Sequence, residues 1–137
     1  MHILYVEDHQ DTAEVTKILL QRAGHRVDVV HSVADAIAIC TEMIYDLWIV
    51  DITLPDGHGG DLVRKLRRMA DARAIALTGR SMPDEAAEGL EDGFDAYLTK
   101  PVAIAILLST IAQLSNPTRN VPAALHGDLE GIRSQSL

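Results

Sequence analysis

Residues that suit phosphoryl and metal chemistry follow the short apolar runs of this sequence. They are Glu7, Asp8, Asp51, Thr78 and Lys100, and each stands directly after such a run. Carboxylate oxygens bind hard divalent cations, and an aspartate can itself attack a phosphoryl group. A lysine supplies positive charge, and a threonine hydroxyl supplies a hydrogen-bond donor. The five residue types together would suit phosphoryl transfer, which depends on positioning and on charge neutralisation.

The chain alternates between strand-like and helix-like segments, and this alternation must position the five residues. Short, largely apolar runs occupy residues 2–6, 26–30, 46–50, 73–77 and 95–99. Each run precedes a stretch with helical spacing, at about residues 11–23, 32–44, 60–70, 83–93 and 101–114. Strictly alternating strands and helices indicate a parallel sheet with helices on both faces. We therefore predict an α/β, flavodoxin-like, doubly wound sheet of five parallel strands in the order 2-1-3-4-5, with five helices.

Local signals mark the ends of several predicted helices. Gly24 and Gly93 follow the first and fourth helices, as glycine often does at a helix C-terminus. Ser32 is a good N-cap for the second helix, and Pro83 takes the first-turn position that proline prefers. In the first helix, the residues at helical spacing are Val15, Ile18, Leu19 and Arg22. In the third helix, the residues predicted to face inward are Leu62, Val63 and Leu66.

The predicted topology gathers the five polar residues into one crevice. Parallel strands end at one edge of their sheet, and ligands bind there, where the strand order reverses. Two like charges about 4 Å apart repel by roughly 4 kcal/mol at an effective dielectric constant of 20. Three neighbouring carboxylates therefore call for cations, which Lys100 and a divalent metal would provide. Because the available ligands are oxygens, we predict Mg²⁺ rather than zinc.

Composition and charge exclude several other classes of function. The 137 residues carry a formal net charge of −8, which argues against direct nucleic-acid binding. No apolar run reaches the roughly 18 residues of a membrane span. A single cysteine, Cys40, allows no intrachain disulfide. Together these features favour a cytoplasmic protein. We expect one domain over residues 1–114 and a linker-like or disordered tail over residues 115–137.

Taken together, these motifs resemble the receiver domains of two-component response regulators. The resemblance rests on the pair Glu7-Asp8, on Asp51 with the following segment 54–57, on Thr78-Gly79 and on Lys100-Pro101. It covers about residues 2–114. It implies a signalling phosphoacceptor rather than an enzyme, and a cognate histidine kinase or phosphotransfer protein as its partner.

The resemblance also assigns roles to residues around the crevice. It implies that Asp51 accepts the phosphoryl group and, with Asp8, binds Mg²⁺ through its side chain. The backbone carbonyl of Thr53 would add a ligand, and Glu7 would act through a metal-bound water. Lys100 would pair with Asp51 at rest and with the phosphoryl group afterwards. The family usually has a cis peptide bond at the position of Lys100-Pro101.

Further expectations concern switching and tuning. Thr78 and Tyr97 match the family's switch pair, in which the threonine hydroxyl moves toward the phosphoryl group and the aromatic ring then turns inward. Thr53 and Arg80 stand at positions that tune the lifetime of the phosphoryl group in the family. Arg80 could reach that group or form a surface ion pair, and the sequence leaves both open. His58 is expected to be a surface residue rather than a catalytic one.

The last predicted helix carries no charged residue between Val102 and Leu114. A helix that is apolar all round is usually buried all round, so this helix predicts an exposed apolar patch in a two-sided sheet fold. We expect helices four and five to form the surface for a homodimer or a downstream protein. A helix whose outer face merely carries alanine is the competing interpretation.

Three other readings remain for the fold. One is an interaction module that keeps the receiver fold without phosphorylation, against which stands the complete set of five polar residues. An aspartate-dependent phosphatase would need a second aspartate where this chain has Thr53. A flavodoxin would need a hydroxyl-rich loop after the first strand, where this chain has Glu7-Asp8.

Overall fold

The predicted alternation of strands and helices is present in the computed structural model, which describes residues 1–79 and 93–115. The strands are β1 (His2–Val6), β2 (Arg26–Val30), β3 (Leu47–Asp51), β4 (Thr53–Leu54), β5 (Gly57–His58), β6 (Arg73–Thr78) and β7 (Ala96–Thr99). The described helices are α1 (Gln10–Arg22), α2 (Val33–Cys40), α3 (Gly59–Met69) and α4 (Ile104–Leu114). The strands β4 and β5 form a small antiparallel hairpin directly after β3.

Five of the strands form one parallel sheet in the order β2-β1-β3-β6-β7. With the hairpin set aside, this is the predicted order 2-1-3-4-5, so the predicted fold class is confirmed. Four of the five predicted helices fall within residues 1–79 and 93–115, and α4 corresponds to the predicted fifth helix. The predicted fourth helix lies outside these ranges except for Gly93, so the count of five is not confirmed. Gly93 has a φ of 97°, the left-handed conformation expected of a glycine after a helix.

Two apolar layers cover the two faces of the sheet. Alternate residues of β1 point to opposite layers: Leu4 and Val6 join the layer beneath α2 and α3, whereas Ile3 and Tyr5 join the layer beneath α1 and α4. All five residues of β3 are buried, as expected of a central strand covered on both faces. The polar residues lie where these buried strands end.

The buried faces of the helices agree with the apolar pattern of the sequence in α3 but not throughout α1 and α2. The three apolar residues predicted to face inward from α3 are fully buried. In α1 the buried residues are Ala13 and Leu20, while Val15 is 58% exposed. Helix α2 ends at Cys40, short of the predicted end, and Ile44 beyond it is 80% exposed.

The exposed face of α4 is built mainly from small side chains. Its exposed positions are Ala105, Ile106, Ser109, Ala112 and Gln113. Ile106, at 54% exposure, is the one large apolar side chain among them. The apolar patch expected on this helix is thus a narrow one within the part of the chain that the structure describes.

None of the helices in these two ranges is both long and apolar enough to cross a membrane.

Candidate functional site

The five predicted polar residues meet at the carboxyl edge of the sheet. Glu7 and Asp8 follow β1, and Asp51 is the last residue of β3. One carboxylate oxygen from each of these three residues lies within 4.8 Å of the others. Thr78 ends β6, and Lys100 follows β7 on the adjoining strands. The predicted convergence of these side chains is therefore present in the structure.

Lys100 joins the two buried carboxylates of the cluster. Its Nζ lies 3.0 Å from Glu7 Oε1 and 3.0 Å from Asp51 Oδ2. The backbone holds the lysine in place, because Lys100 N donates to Thr78 O at 2.6 Å. The peptide bond from Lys100 to Pro101 is cis. The cis bond agrees with the expectation from the resemblance. Lys100 is thus fixed between two strand ends with its ammonium group aimed at Asp51.

Burial and charge oppose each other in this cluster. Glu7 is 1% exposed and Asp51 is 5% exposed, whereas Asp8 is open to solvent. Burial raises the pKa of Glu7, and its hydrogen bond to Lys100 offsets that effect only in part. Burial alone would lower the pKa of Lys100, but its hydrogen bonds to Asp51 and Glu7 outweigh burial and raise the pKa instead. Burial and the pairing with Lys100 therefore act in opposite directions on the pKa of Glu7, and burial is the larger effect.

The loop after Asp51 is tied to two helices. Thr53 N donates to Asp51 Oδ1 at 3.1 Å, which orients the carboxylate. Asp56 accepts hydrogen bonds from the first two backbone amides of α2, at 2.8 and 3.0 Å, and so caps that helix. These amides lower the pKa of Asp56. Asp51 is thereby connected through one short hairpin to the start of α2.

Close packing at Gly59 holds the start of α3 against the same aspartate. A Cβ at Gly59 would lie 2.4 Å from Asp51 O, so a side chain there would force the two segments apart. His58 caps α3, because its Nδ1 accepts from Gly60 N at 2.9 Å. His58 is half-buried rather than fully at the surface as expected, and the contact described is structural.

The resemblance assigns switching and tuning roles to four residues, and the structure describes three of them: Thr78, Tyr97 and Thr53. Thr78 is buried at the edge of the site, 2% exposed. Tyr97 is half-buried on β7 and meets Phe94 edge-on, with ring centroids 6.4 Å apart. Thr53 lies on β4, shortly after β3, the strand that ends at Asp51. Arg80 lies outside the described residues, so its two possible roles remain predictions.

Two residues near the site were missed by the sequence reasoning. His31 follows β2 and donates from Nδ1 to Glu7 O at 2.8 Å, which fixes the loop that carries the acidic pair. Its position at the end of a strand, which is the signal that pointed to the other polar residues, could have identified it. The phenol oxygen of Tyr5 lies 3.5 Å from Glu7 Oε1. A hydroxyl two residues before Glu7, on the same face of β1, was the available signal.

The donor set fits a hard divalent cation. Carboxylate oxygens from Glu7, Asp8 and Asp51 gather at one point, without sulfur or imidazole ligands in that group. Mg²⁺ is commonly held by one or two carboxylates and keeps several of its waters. One carboxylate of the group, on Asp8, is exposed and so leaves a side open for water and phosphate.

The comparisons with known proteins agree with this geometry. The family model described as "Response regulator receiver domain" matches residues 3–112. The chain is 36% identical over 140 residues to the transcriptional regulatory protein HprR of Escherichia coli, and it spans 60% of the length of that relative. The alignment includes the whole of the present chain.

Solved structures share the fold across most of the chain. A two-component response regulator from Clostridium difficile matches with a TM-score of 0.82 and 27% identity, over 87% of this chain and 99% of the other. A response regulator from Burkholderia pseudomallei, solved with a phosphorylated aspartic acid, a calcium ion and citrate, matches with a TM-score of 0.74 and 25% identity. That match covers 88% of this chain and 75% of the other. With its sheet order, its acidic cluster and its family match in agreement, the chain belongs to the response regulator receiver domain family.

Proposed function

We propose that this chain accepts a phosphoryl group onto Asp51 from a histidine kinase or a phosphotransfer protein, in the presence of Mg²⁺. The proposal rests on the groups that surround the Asp51 carboxylate. One of its oxygens is paired with Lys100 at 3.0 Å, and the other accepts from Thr53 N at 3.1 Å. Two further carboxylates lie beside it. This arrangement suits an aspartate that receives a phosphoryl group.

In the proposed reaction, an oxygen of the Asp51 carboxylate attacks the phosphorus of the donor. A new O–P bond forms, and the bond from phosphorus to the donor breaks, with its electron pair leaving on the donor. Lys100 offers its ammonium to the phosphoryl oxygens, and Thr78 donates its hydroxyl to one of them. Both residues act by neutralising and orienting charge, which is what phosphoryl transfer requires. The chain therefore assists its own modification without being an enzyme that acts on other molecules.

Mg²⁺ would be held by the side chains of Asp8 and Asp51, by the backbone carbonyl of Thr53, and by Glu7 through a water molecule. When bound, it supplies positive charge that offsets the carboxylates and the incoming phosphoryl group. The acidic cluster at the carboxyl edge supports this assignment.

The proposed output is a change of surface around β7 and the helices beside it. Phosphorylation would draw the Thr78 hydroxyl toward the phosphoryl group and let the half-buried ring of Tyr97 turn inward. Thr53 and Arg80 would tune how long the phosphoryl group lasts. The surface formed by the predicted fourth helix and α4 would then bind a second copy or a downstream protein. Residues 1–114 would form this unit, and residues 116–137 lie outside the described residues.

Intact-mass measurement tests the proposed function. The protein is incubated with Mg²⁺ and acetyl phosphate, beside an Asp51→Asn variant and a wild-type sample in EDTA. We expect one added phosphoryl mass in the wild type and none in the other two. No added mass, together with no binding of beryllofluoride, would contradict phosphorylation and favour the alternative of an interaction module that works without it.

A further inference from the structure

Tyr5 places a phenol hydroxyl inside strand β1, close to the acidic cluster. The side chain is 1% exposed, and it lies on the same face of the strand as Glu7, two residues later. Burying a hydroxyl costs free energy unless it forms hydrogen bonds. A phenylalanine would fill the same apolar layer without that cost, so the hydroxyl calls for an explanation.

The hydroxyl has one hydrogen-bond partner among the contacts that the described residues show. Its oxygen lies 3.5 Å from Glu7 Oε1, at the outer limit of a hydrogen bond. The side chain of Thr16, on α1, lines the same cavity as Tyr5. Burial and the nearby carboxylate of Glu7 raise the pKa of Tyr5, so the phenol stays protonated and can donate. The donor of this hydroxyl is therefore available to the glutamate.

Glu7 Oε1 is also the atom that Lys100 contacts. The ammonium group lies 3.0 Å away and is the nearer of the two donors. The other oxygen, Glu7 Oε2, accepts from His9 N at 3.2 Å. If Lys100 turns toward a phosphoryl group on Asp51, Glu7 Oε1 loses its short contact to the ammonium while it remains buried, and its partners are then the phenol and the metal-bound water proposed above. Of the two side-chain donors named here, Tyr5 is the one that does not move away.

We propose that Tyr5 is a positioning residue that takes over Glu7 Oε1 when Lys100 turns to the phosphoryl group. This inference rests on the function proposed above, because it needs a phosphoryl group at Asp51. In the resting arrangement, Tyr5 and Lys100 share the oxygen, and the long contact to the phenol contributes little. In the phosphorylated arrangement, the contact from the phenol shortens and Glu7 no longer draws the ammonium back. Tyr5 thus favours the phosphorylated state over the resting state.

The test compares Tyr5→Phe with wild-type protein by calorimetry, using Mg²⁺ alone and then Mg²⁺ with beryllofluoride, which mimics the phosphoryl group. We expect Tyr5→Phe to weaken beryllofluoride binding about three- to tenfold, the effect of losing one ordinary intramolecular hydrogen bond. Binding of Mg²⁺ alone should change less than twofold.

Tyr45→Phe is the matched control. Tyr45 is another buried tyrosine, and its hydroxyl donates to Asp28 Oδ2 at 2.7 Å. Asp28 lies on β2, outside the acidic cluster. This variant should bind beryllofluoride like the wild type. Thermal unfolding without metal shows whether each variant is folded before its binding is compared.

Three other results of these experiments would contradict the inference. Beryllofluoride binding by Tyr5→Phe within twofold of the wild type would show that the phenol has no such role. Equal losses for Mg²⁺ alone and for beryllofluoride would show that Tyr5 supports the site in both states, which also contradicts a takeover from Lys100. Wild-type protein that binds no beryllofluoride would overturn the proposed function together with this inference.

Discussion

The two edges of the sheet both gather charged residues, but they balance them differently. At the amino edge, Arg67 donates to the carbonyls of Ala72 and Gly93 and to Asp95, and its guanidinium lies 5.4 Å from the centre of the Trp48 ring. Asp95 in turn accepts from Ala74 N at 2.8 Å. Each charge there has partners supplied by the protein itself.

At the carboxyl edge, three carboxylates face one ammonium group among the residues that the structure describes. Charges matched within the protein stabilise a fold, whereas unmatched charges leave a site ready for a ligand of opposite sign. One sheet thus carries a structural charge network at one edge and the proposed binding site at the other. The difference lies in the balance of charge, since both clusters are partly buried and rich in hydrogen bonds.

The largest expected effect comes from removing Lys100, the cation that contacts the acidic cluster among the residues that the structure describes. Lys100→Met should slow labelling of Asp51 by acetyl phosphate roughly 100- to 1,000-fold, because the charge that forms during transfer loses a fixed electrostatic partner. The rate is measured by intact mass over time. Lys65→Met removes an exposed lysine from α3 and should label at the wild-type rate. Similar labelling rates for the two variants would contradict the assignment of Lys100 to the site.

The second prediction compares one carboxylate from each edge. Asp95→Ala should lower the free energy of unfolding by about 2–3 kcal/mol, because it leaves the buried Ala74 amide without its charged acceptor and breaks the pairing with Arg67. Asp8→Ala should cause no loss in EDTA, since it removes repulsion from the cluster. Urea unfolding followed by the fluorescence of Trp48 measures both. Equal losses would mean that the acidic edge is also a structural network.

The smallest expected effect is the pH dependence of stability that Glu7 contributes without metal. Because the folded-state pKa of Glu7 is raised, its favourable contribution is complete below the unfolded pKa and is lost as the pH rises through the folded pKa. Wild-type protein should therefore lose stability relative to Glu7→Gln as the pH rises from 4.5 to 8. Unfolding in urea at several pH values, in EDTA, gives this difference. A constant difference would show that Glu7 is ionised as easily in the fold as in the unfolded chain.

Much of the fold could be predicted from the sequence, because strands and strand ends have strong local signals. The buried run before Asp51 and the glycine and proline signals gave the order of elements, and parallel strands then had to place Glu7, Asp51 and Lys100 together. The pairing of Lys100 with Asp51 was implied by the resemblance, whereas its contact with Glu7 was not predicted.

Helix faces and cross-chain contacts were harder to predict for physical reasons. In α1, Ala13 is buried in place of the larger Val15, because the close approach of the helix to the sheet favours a small side chain that the apolar pattern does not reveal. The cap that Asp56 provides for α2 joins residues more than 20 positions apart, and nothing in the spacing predicts it. Tyr5 was read as part of an apolar strand, since its hydroxyl gains meaning only beside Glu7.

The long reach of Lys100 along the chain has a consequence for how the site comes into being. Its partners lie 49 and 93 positions earlier in the sequence, and its own place depends on β7, which forms the last strand of the sheet. Contacts between such distant positions form late, since closing long loops costs entropy. A nascent or partly unfolded chain would thus carry Asp51 without its cation. The proposed ability to accept a phosphoryl group would therefore depend on complete folding of the chain.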